Sequence, residues 1–183
     1  MHSFSYNKNE RLKIQDPQQI LTDIGLRVGD IFLDIGSNDG FFTIPASLMV
    51  KDSGIVYAVD IDGDAIQRLK DSIQEMNISN INYFIMPAED FLIKKDFADI
   101  VFFGTVLHDF ANPNKVLQNA FSMLKKGGKI VDFDWRKEDT HIGPPISIRL
   151  SENDVLNMLE NTGFSSINIE TKSSNFYQIK GYK

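Results

Sequence analysis

An acidic residue followed by a glycine loop is the part of this sequence with the clearest capacity for chemistry. Residues 31–35 form an almost wholly apolar run with Asp34 near its end, and Gly36 and Gly40 follow. Glycine lacks the Cβ that would keep a ligand away from the backbone, and the N–H groups that open the next helix would point into the loop. A carboxylate here repels a pyrophosphate but attracts a cationic or amine-bearing ligand. The spacing therefore predicts a pocket for a ligand that carries positive charge.

A second acid, Asp60, ends another apolar run, 55–60. Asp62 and Gly63 follow it, and Asp and Gly are common turn formers, so Asp60 taken alone favours a simple turn. Its place at the end of a second strand favours ligand binding instead, because the carboxyl ends of parallel strands meet at one edge of a sheet. Asp34 also has an alternative role, as the cap of the helix that follows the loop.

The elements that must position these acids alternate between strands and helices. The apolar runs predict strands at 31–35, 55–60, 81–86, 99–104, 129–135, 166–170 and 176–181. Capping residues and helical spacing predict helices between Asp16 and Gly25, over 41–50, 64–76 and 114–124, and between Ser151 and Gly163. This order predicts an α/β fold: a doubly wound, Rossmann-like, seven-stranded and mostly parallel sheet with a C-terminal antiparallel strand pair.

Composition narrows the classes of function. The 183 residues predict one domain, 1–183, and the net charge of −6 with scattered basic residues argues against a nucleic-acid partner. No run approaches the roughly 20 apolar residues that cross a bilayer, and the first residues lack the apolar core of a signal peptide. The chain has no cysteine, which removes thiolate chemistry and cysteine-based metal sites. We expect a cytoplasmic protein with a small-molecule partner, no membrane contact and no metal.

Several motifs in order resemble those of class I S-adenosylmethionine-dependent methyltransferases, and most closely the type 11, ubiquinone-biosynthesis-like group that acts on small molecules. They span the chain from about Asp16 to Gly163. The motifs are Leu33-Asp-Ile-Gly-Ser-Asn-Asp-Gly40, Val59-Asp60, Ala88-Glu89-Asp90, the strand 99–104 and the turn Leu124-Lys-Lys-Gly-Gly-Lys129. Residues 125–128 are expected to form this turn without a chemical role.

The resemblance implies S-adenosyl-L-methionine as the cofactor and assigns a set of residues to it. Asp34, Gly36, Ser37, Asn38 and Gly40 would hold the methionine part, Asp60 with Ile61 the ribose, and Ala88 with Glu89 the adenine. The chain departs from the family at two positions: Asn38 replaces a common glycine, and Pro87 replaces a common Asp or Asn. Asn tolerates left-handed backbone better than most residues, so the first departure is mild.

His108 is the candidate catalytic residue. It lies just past the fourth strand, where the methyl acceptor is expected, and a histidine near neutral pKa suits proton abstraction from a hydroxyl. The segment His108-Asp109-Phe110 resembles the His-Asp-Trp segment of small-molecule O-methyltransferases, in which that histidine is the base. A structural role for the ring is the alternative, and Asp109 orients the ring or, as we favour, caps the next segment. His2 is discounted.

The loop after the fifth strand contains His141 and could cover the acceptor pocket. Trp135 before it is expected in the core, and Arg149 after it is expected to pair with a nearby acid.

These features favour a methyltransferase that acts on a small molecule through oxygen, nitrogen or carbon. A macromolecular substrate is disfavoured by the acidic balance and by Gly104-Thr-Val-Leu107, which stands where an Asn-Pro-Pro-Tyr motif would be. A nicotinamide dehydrogenase would need a phosphate-binding Gly-x-Gly-x-x-Gly turn, which Asp34 argues against. A protein that binds the cofactor as a sensor or scaffold, without catalysis, remains an alternative. The oligomeric state has no signal in the sequence.

Overall fold

The computed structural model describes residues 8–183, and these residues build one seven-stranded sheet. The strands are β1 Ile31–Ile35, β2 Ile55–Asp60, β3 Ile81–Ile85, β4 Ala98–Gly104, β5 Leu124–Trp135, β6 Ser165–Thr171 and β7 Phe176–Tyr182. Their order in the sheet is β3-β2-β1-β4-β5-β7-β6. The first five strands are parallel, and β7 runs antiparallel to both β5 and β6. The predicted fold class is therefore confirmed.

Within the described residues, six α-helices accompany the sheet. They are α1 Lys8–Ile14, α2 Pro17–Asp23, α3 Thr43–Val50, α4 Gly63–Glu75, α5 Pro113–Met123 and α6 Glu152–Thr162. Asp16 caps α2 as expected, because its side chain accepts the N–H groups of Gln18 and Gln19. Ser151 and Asp154 form a reciprocal capping box at the start of α6. The sequence pattern did not predict α1.

The boundary between α5 and β5 differs from the expectation of a turn at 125–128. β5 begins at Leu124, which pairs with Ala98, and the register then shifts before Lys129 pairs with Ile100. The glycines and lysines that suggested a turn thus form an irregular first part of a strand. Lys125 adds an ion pair here, with its Nζ 2.9 Å from Asp99 Oδ1.

Apolar side chains fill both faces of the sheet. The cluster on one face includes residues of α5 and α6, and the cluster on the other includes residues of α2 and α3. Trp135 belongs to the second cluster, as do Phe41 and Phe42, so the prediction that Trp135 is a core residue is confirmed. The strand ends that carry Asp34 and Asp60 are thereby held on a packed frame.

Two features of the described part of the chain bear on function. Within residues 8–183, no helix combines the length and the apolar character that crossing a bilayer requires. In the same range, no three His, Asp or Glu side chains gather as a metal site would need. His2 lies outside the described residues.

Candidate active site

The glycine loop is tied to the end of β2 by its own backbone. The N–H groups of Gly36 and Ser37 both donate to the carbonyl of Val59, at 2.8 and 3.0 Å. The N–H of Asn38 donates to Asp60 Oδ2 at 2.8 Å. Asn38 has a φ of 49°, so it adopts the left-handed backbone for which asparagine is suited. The structure therefore brings the loop and Asp60 together, and the replacement of glycine by Asn38 is compatible with the turn.

Gly36 and Gly40 are required by the packing of the protein itself. Both have left-handed backbone, with φ of 79° and 90°. A Cβ on Gly36 would lie 2.5 Å from Val106 Cγ2, and one on Gly40 would lie 2.5 Å from Leu69 Cδ1. Val106 follows β4, so its contact with Gly36 joins the loop after β1 to the segment that carries His108. Gly36 thus allows two loops of the site to touch, and Gly40 allows the glycine loop to pack against α4.

Asp34 is a buried carboxyl group, only 1% exposed. Its Oδ2 accepts the hydroxyl of Thr43, the first residue of α3, at 2.6 Å. Asp34 therefore contacts α3, the helix that it was expected to cap in the alternative role, but it does so through the side-chain hydroxyl of Thr43. Burial raises the pKa of Asp34 to about 7, against the lowering effects of the Thr43 hydroxyl and the Arg11 charge. A positive group beside this carboxyl would restore its charged form.

Asp60 is half-buried, and each of its oxygens accepts one backbone N–H. Asn38 donates to Oδ2, and Asp62 donates to Oδ1 at 2.9 Å. A carboxylate oxygen has a second lone pair, so both oxygens keep capacity for another donor. Ile61, the next residue, is 53% exposed beside this carboxylate.

Ala88 and Glu89 lie in a short 3-10 turn, Ala88–Asp90, after β3. Ala88 is buried in the same apolar cluster as Val59. Glu89 contacts the start of α5, since its Oε1 accepts the N–H of Asn112 at 3.0 Å and its carbonyl accepts the Asn119 amide at 2.8 Å. The structure thus places the Glu89 side chain against α5.

His108 lies in a 3-10 turn, Leu107–Asp109, immediately after β4, and its side chain is 3% exposed. Its Nδ1 is 2.8 Å from Oδ2 of Asp134, and its Nε2 is 3.7 Å from Oδ1 of Asp109. A carboxylate can only accept, so Nδ1 carries the proton. Burial by itself lowers the pKa of the imidazole, but the carboxylates of Asp134, Asp109 and Asp132 outweigh it and raise the pKa above 6.5.

A second buried acid, Asp132, stands two residues before Asp134 on the same face of β5. Its Oδ2 accepts the hydroxyl of Tyr177 at 3.0 Å, while its Oδ1 is buried and has no hydrogen-bond partner among residues 8–183. Burial and the nearby Asp134 raise the pKa of Asp132 well above its ordinary value. Sequence patterns alone did not identify Asp132, Asp134 or Tyr177 as neighbours of His108, because the contact joins β4, β5 and β7.

The loop after β5 is held by Arg149, a residue only 4% exposed. Its guanidinium donates to four backbone carbonyls and one hydroxyl of that loop. The acceptors are the carbonyls of Pro144, Arg136, Glu138 and Ile142 and the hydroxyl of Thr140. His141 extends from the loop with 89% of its side chain exposed.

Sequence reasoning missed Arg11, which α1 brings to the carboxyl edge of the sheet. Its Nη2 donates to the hydroxyl of Thr105, just after β4, at 3.2 Å. Its Cζ lies 4.0 Å from the ring centre of Phe41, which follows the glycine loop. A lone arginine in a polar N-terminal segment has no fixed spacing to the loop, so no pattern could have identified it.

Comparison with known proteins agrees with this geometry. A methyltransferase-domain family matches residues 26–179 of the chain. The ubiquinone/menaquinone biosynthesis C-methyltransferase UbiE of Vibrio parahaemolyticus is 28% identical over 114 residues, which are 62% of this chain and 44% of that protein. UbiE of Haemophilus ducreyi is 24% identical over 191 residues, covering 87% of this chain and 74% of that protein. The chain spans less than half the length of the Vibrio relative.

Among solved structures, a SAM-dependent methyltransferase from Aquifex aeolicus superposes with a TM-score of 0.87 and 22% identity, covering 97% of this chain and 98% of that one. At this identity the similarity shows the fold. The family match covers most of the chain, and the site places an acid and a glycine loop at the strand ends where the motifs required them. The chain therefore belongs to the class I S-adenosylmethionine-dependent methyltransferases, in the group similar to the ubiquinone and menaquinone C-methyltransferases.

Proposed function

We propose that this chain transfers a methyl group from S-adenosyl-L-methionine to a small-molecule acceptor. The observation that carries the proposal is the joined corner at the ends of β1 and β2, where the N–H of Asn38 donates to Asp60 beside the buried Asp34. The corner presents two acids and a tight backbone turn at the point where strand order reverses, which is where open α/β sheets bind ligands.

The residues of this corner suit each part of the cofactor. Asp34 would hold the ammonium, because a buried carboxyl with a raised pKa gains most from a positive neighbour. Ser37 has a buried hydroxyl without a partner among residues 8–183, which leaves a donor for the methionine part. Asp60 and Ile61 would hold the ribose, and Ala88 with Glu89 the adenine. When bound, the cofactor supplies a methyl group that its sulfonium has activated for displacement.

His108 is proposed as the base that removes a proton from the acceptor. Nδ1 of the neutral ring keeps its proton and donates a hydrogen bond to Asp134, so the lone pair is on Nε2. Nε2 is therefore the atom that would accept a proton from the acceptor. Asp134 would act as a positioning residue that fixes this tautomer and stabilises the imidazolium that forms. The raised pKa of His108 strengthens it as a base but requires that it first be deprotonated.

The acceptor class is inferred from the relatives. Those named above are C-methyltransferases of ubiquinone and menaquinone biosynthesis, so an aromatic or quinol-like small molecule is the first class to test. Phe110 packs edge-on against Phe103 next to His108, so an apolar ring surface borders the proposed base. Whether oxygen, nitrogen or carbon receives the methyl group stays open.

The test combines binding with transfer. The purified chain is incubated with methyl-labelled S-adenosyl-L-methionine and a panel of phenols and demethylated quinols, and extractable label is counted. We expect labelled product from the wild type and from Asp52→Ala, an exposed acid away from the site, but about 10- to 100-fold weaker S-adenosylhomocysteine binding by Asp60→Ala. Tight cofactor binding without any methylated product would favour the sensor or scaffold alternative.

A further inference from the structure

Arg11 lies between the two strand ends that border the proposed methionine site. It is the one described residue of α1 that hydrogen-bonds to the segment after β4, through the hydroxyl of Thr105. Its guanidinium also covers the ring of Phe41, which comes directly after Gly40. Phe41 follows β1 and Thr105 follows β4, and these two strands are neighbours in the sheet, so Arg11 contacts the segments after both of them.

The charge of Arg11 is only partly satisfied. Among the described residues its donors have two hydrogen-bond acceptors, Gln15 Oε1 at 2.8 Å and Thr105 Oγ1, although a guanidinium carries five N–H groups. No carboxylate in the same range lies within the 4.0 Å of an ion pair with it. Burial lowers the pKa of Arg11 to about 10, against the raising effects of Asp34 and Asp39, so the group is still charged at neutral pH. A half-buried cation without an anionic partner is costly, and an anion that paired with it would remove part of that cost.

Arg11, which is half-buried, and Asp34, which is buried, form a pair of opposite and separated groups. Among residues 8–183, Asp34 has no directly bonded cation, and its pKa is raised to about 7 by burial. Arg11 has no directly bonded anion in the same range. A ligand with a carboxylate and an ammonium attached to the same carbon suits this pair, because the carboxylate can bind the Arg11 guanidinium while the ammonium binds the Asp34 carboxyl. The amino-acid end of the proposed cofactor has this arrangement.

We propose that Arg11 binds the carboxylate of the cofactor's amino-acid end and that α1 is thereby drawn closed over it as a strap. The inference rests on the proposed cofactor. Ile14 of α1 packs against the apolar cluster that contains Phe41, but Glu10, Leu12 and Lys13 are exposed to solvent, so few apolar contacts hold the helix on the sheet. A new ion pair at Arg11 would therefore increase the free energy needed to open α1 away from the sheet.

Two adenosine ligands separate this role from a structural one. S-Adenosylhomocysteine has the amino-acid end, whereas 5′-methylthioadenosine shares its adenosine and sulfur but lacks the carboxylate and the ammonium. In calorimetric titrations, Arg11→Met should weaken S-adenosylhomocysteine binding about 10- to 100-fold and leave 5′-methylthioadenosine binding within about twofold. Lys13→Met on the same helix is the matched control and should change neither affinity. Arg11→Lys, which keeps the charge but loses the forked geometry, should fall between Arg11→Met and the wild type.

Hydrogen exchange supplies a readout independent of affinity. Amides of α1 in the wild type should gain protection with saturating S-adenosylhomocysteine and not with 5′-methylthioadenosine, and in Arg11→Met the gain should be lost. Equal loss of affinity for both ligands would make Arg11 a structural residue, and unchanged affinities would also overturn the proposal. If the wild type binds neither ligand, the proposed cofactor fails and this inference fails with it.

Discussion

Replacing Asp34 by Asn should stabilise the ligand-free protein and remove cofactor binding. The carboxyl is 1% exposed and has one hydrogen-bond donor, Thr43, so its charged form is poorly solvated in the folded state. Burial raises its pKa from 3.8 to about 7, which means that the folded state holds the proton more tightly than the unfolded state does. The folded protein is therefore penalised as pH rises through this range, whereas a neutral amide carries no such penalty.

The size of the effect follows from the two pKa values. One pKa unit corresponds to about 1.4 kcal/mol, so ionised Asp34 destabilises the fold by about 4 kcal/mol at pH 8 as an upper value. At pH 5, Asp34 is mostly ionised in the unfolded chain but protonated in the folded protein, so the destabilisation falls to about 2 kcal/mol. Below about pH 4, Asp34 is largely protonated in both states and little destabilisation remains. The advantage of Asp34→Asn over the wild type should shrink in the same order.

Urea unfolding followed by the fluorescence of Trp135 measures this difference, because that residue is the only tryptophan of the chain and is 5% exposed. Asp52→Asn, an exposed acid, is the control and should follow the wild type at each pH. Calorimetry with S-adenosylhomocysteine should show that Asp34→Asn binds far more weakly, since the ammonium loses its anionic partner. Equal stability of the two proteins at pH 8, or a more stable variant that binds the ligand normally, would refute this reasoning.

Three further outcomes are expected. Burial lowers the pKa of His108, but the neighbouring carboxylates outweigh burial and raise it, so the acidic limb of the rate–pH profile should lie above pH 6.5. The variant His108→Asn should lose turnover without losing cofactor affinity. The control His141→Asn, at an exposed histidine, should behave as wild type. Gly36→Ala should lower the free energy of unfolding, measured by denaturant titration, by about 2–4 kcal/mol, because its φ is 79° and the new Cβ would clash with Val106. Adding Val106→Ala should recover only the part of this loss that comes from the clash, since the backbone strain remains. Arg149→Met should speed hydrogen exchange in residues 136–145, and unchanged exchange there would contradict its role in holding that loop.

Most of the fold was predictable because hydrophobic periodicity and capping act locally. The strand 31–35 and the cap at Asp16 were placed correctly from neighbours in the sequence alone. The irregular start of β5 was not, because its glycines and lysines have turn propensity and only pairing with β4 draws Leu124 into the sheet. The sequence pattern did not predict α1, because its seven mostly polar residues do not form a clear apolar face with helical spacing.

The sequence by itself indicated the family, and it predicted the corner that we propose for the cofactor. Asp34, the glycine loop and Asp60 stand at or after the ends of their strands, and this spacing can be read from the sequence alone. Only the tertiary structure decided their surroundings. It placed Val106 against Gly36, Asp134 against His108 and Arg11 above Phe41. These contacts join residues distant in sequence, and the pKa values that they and burial set depend on distance and solvent exclusion, which no linear pattern contains. Chemistry at this site is therefore specified by the packing of strands and helices around residues that the motifs had already identified.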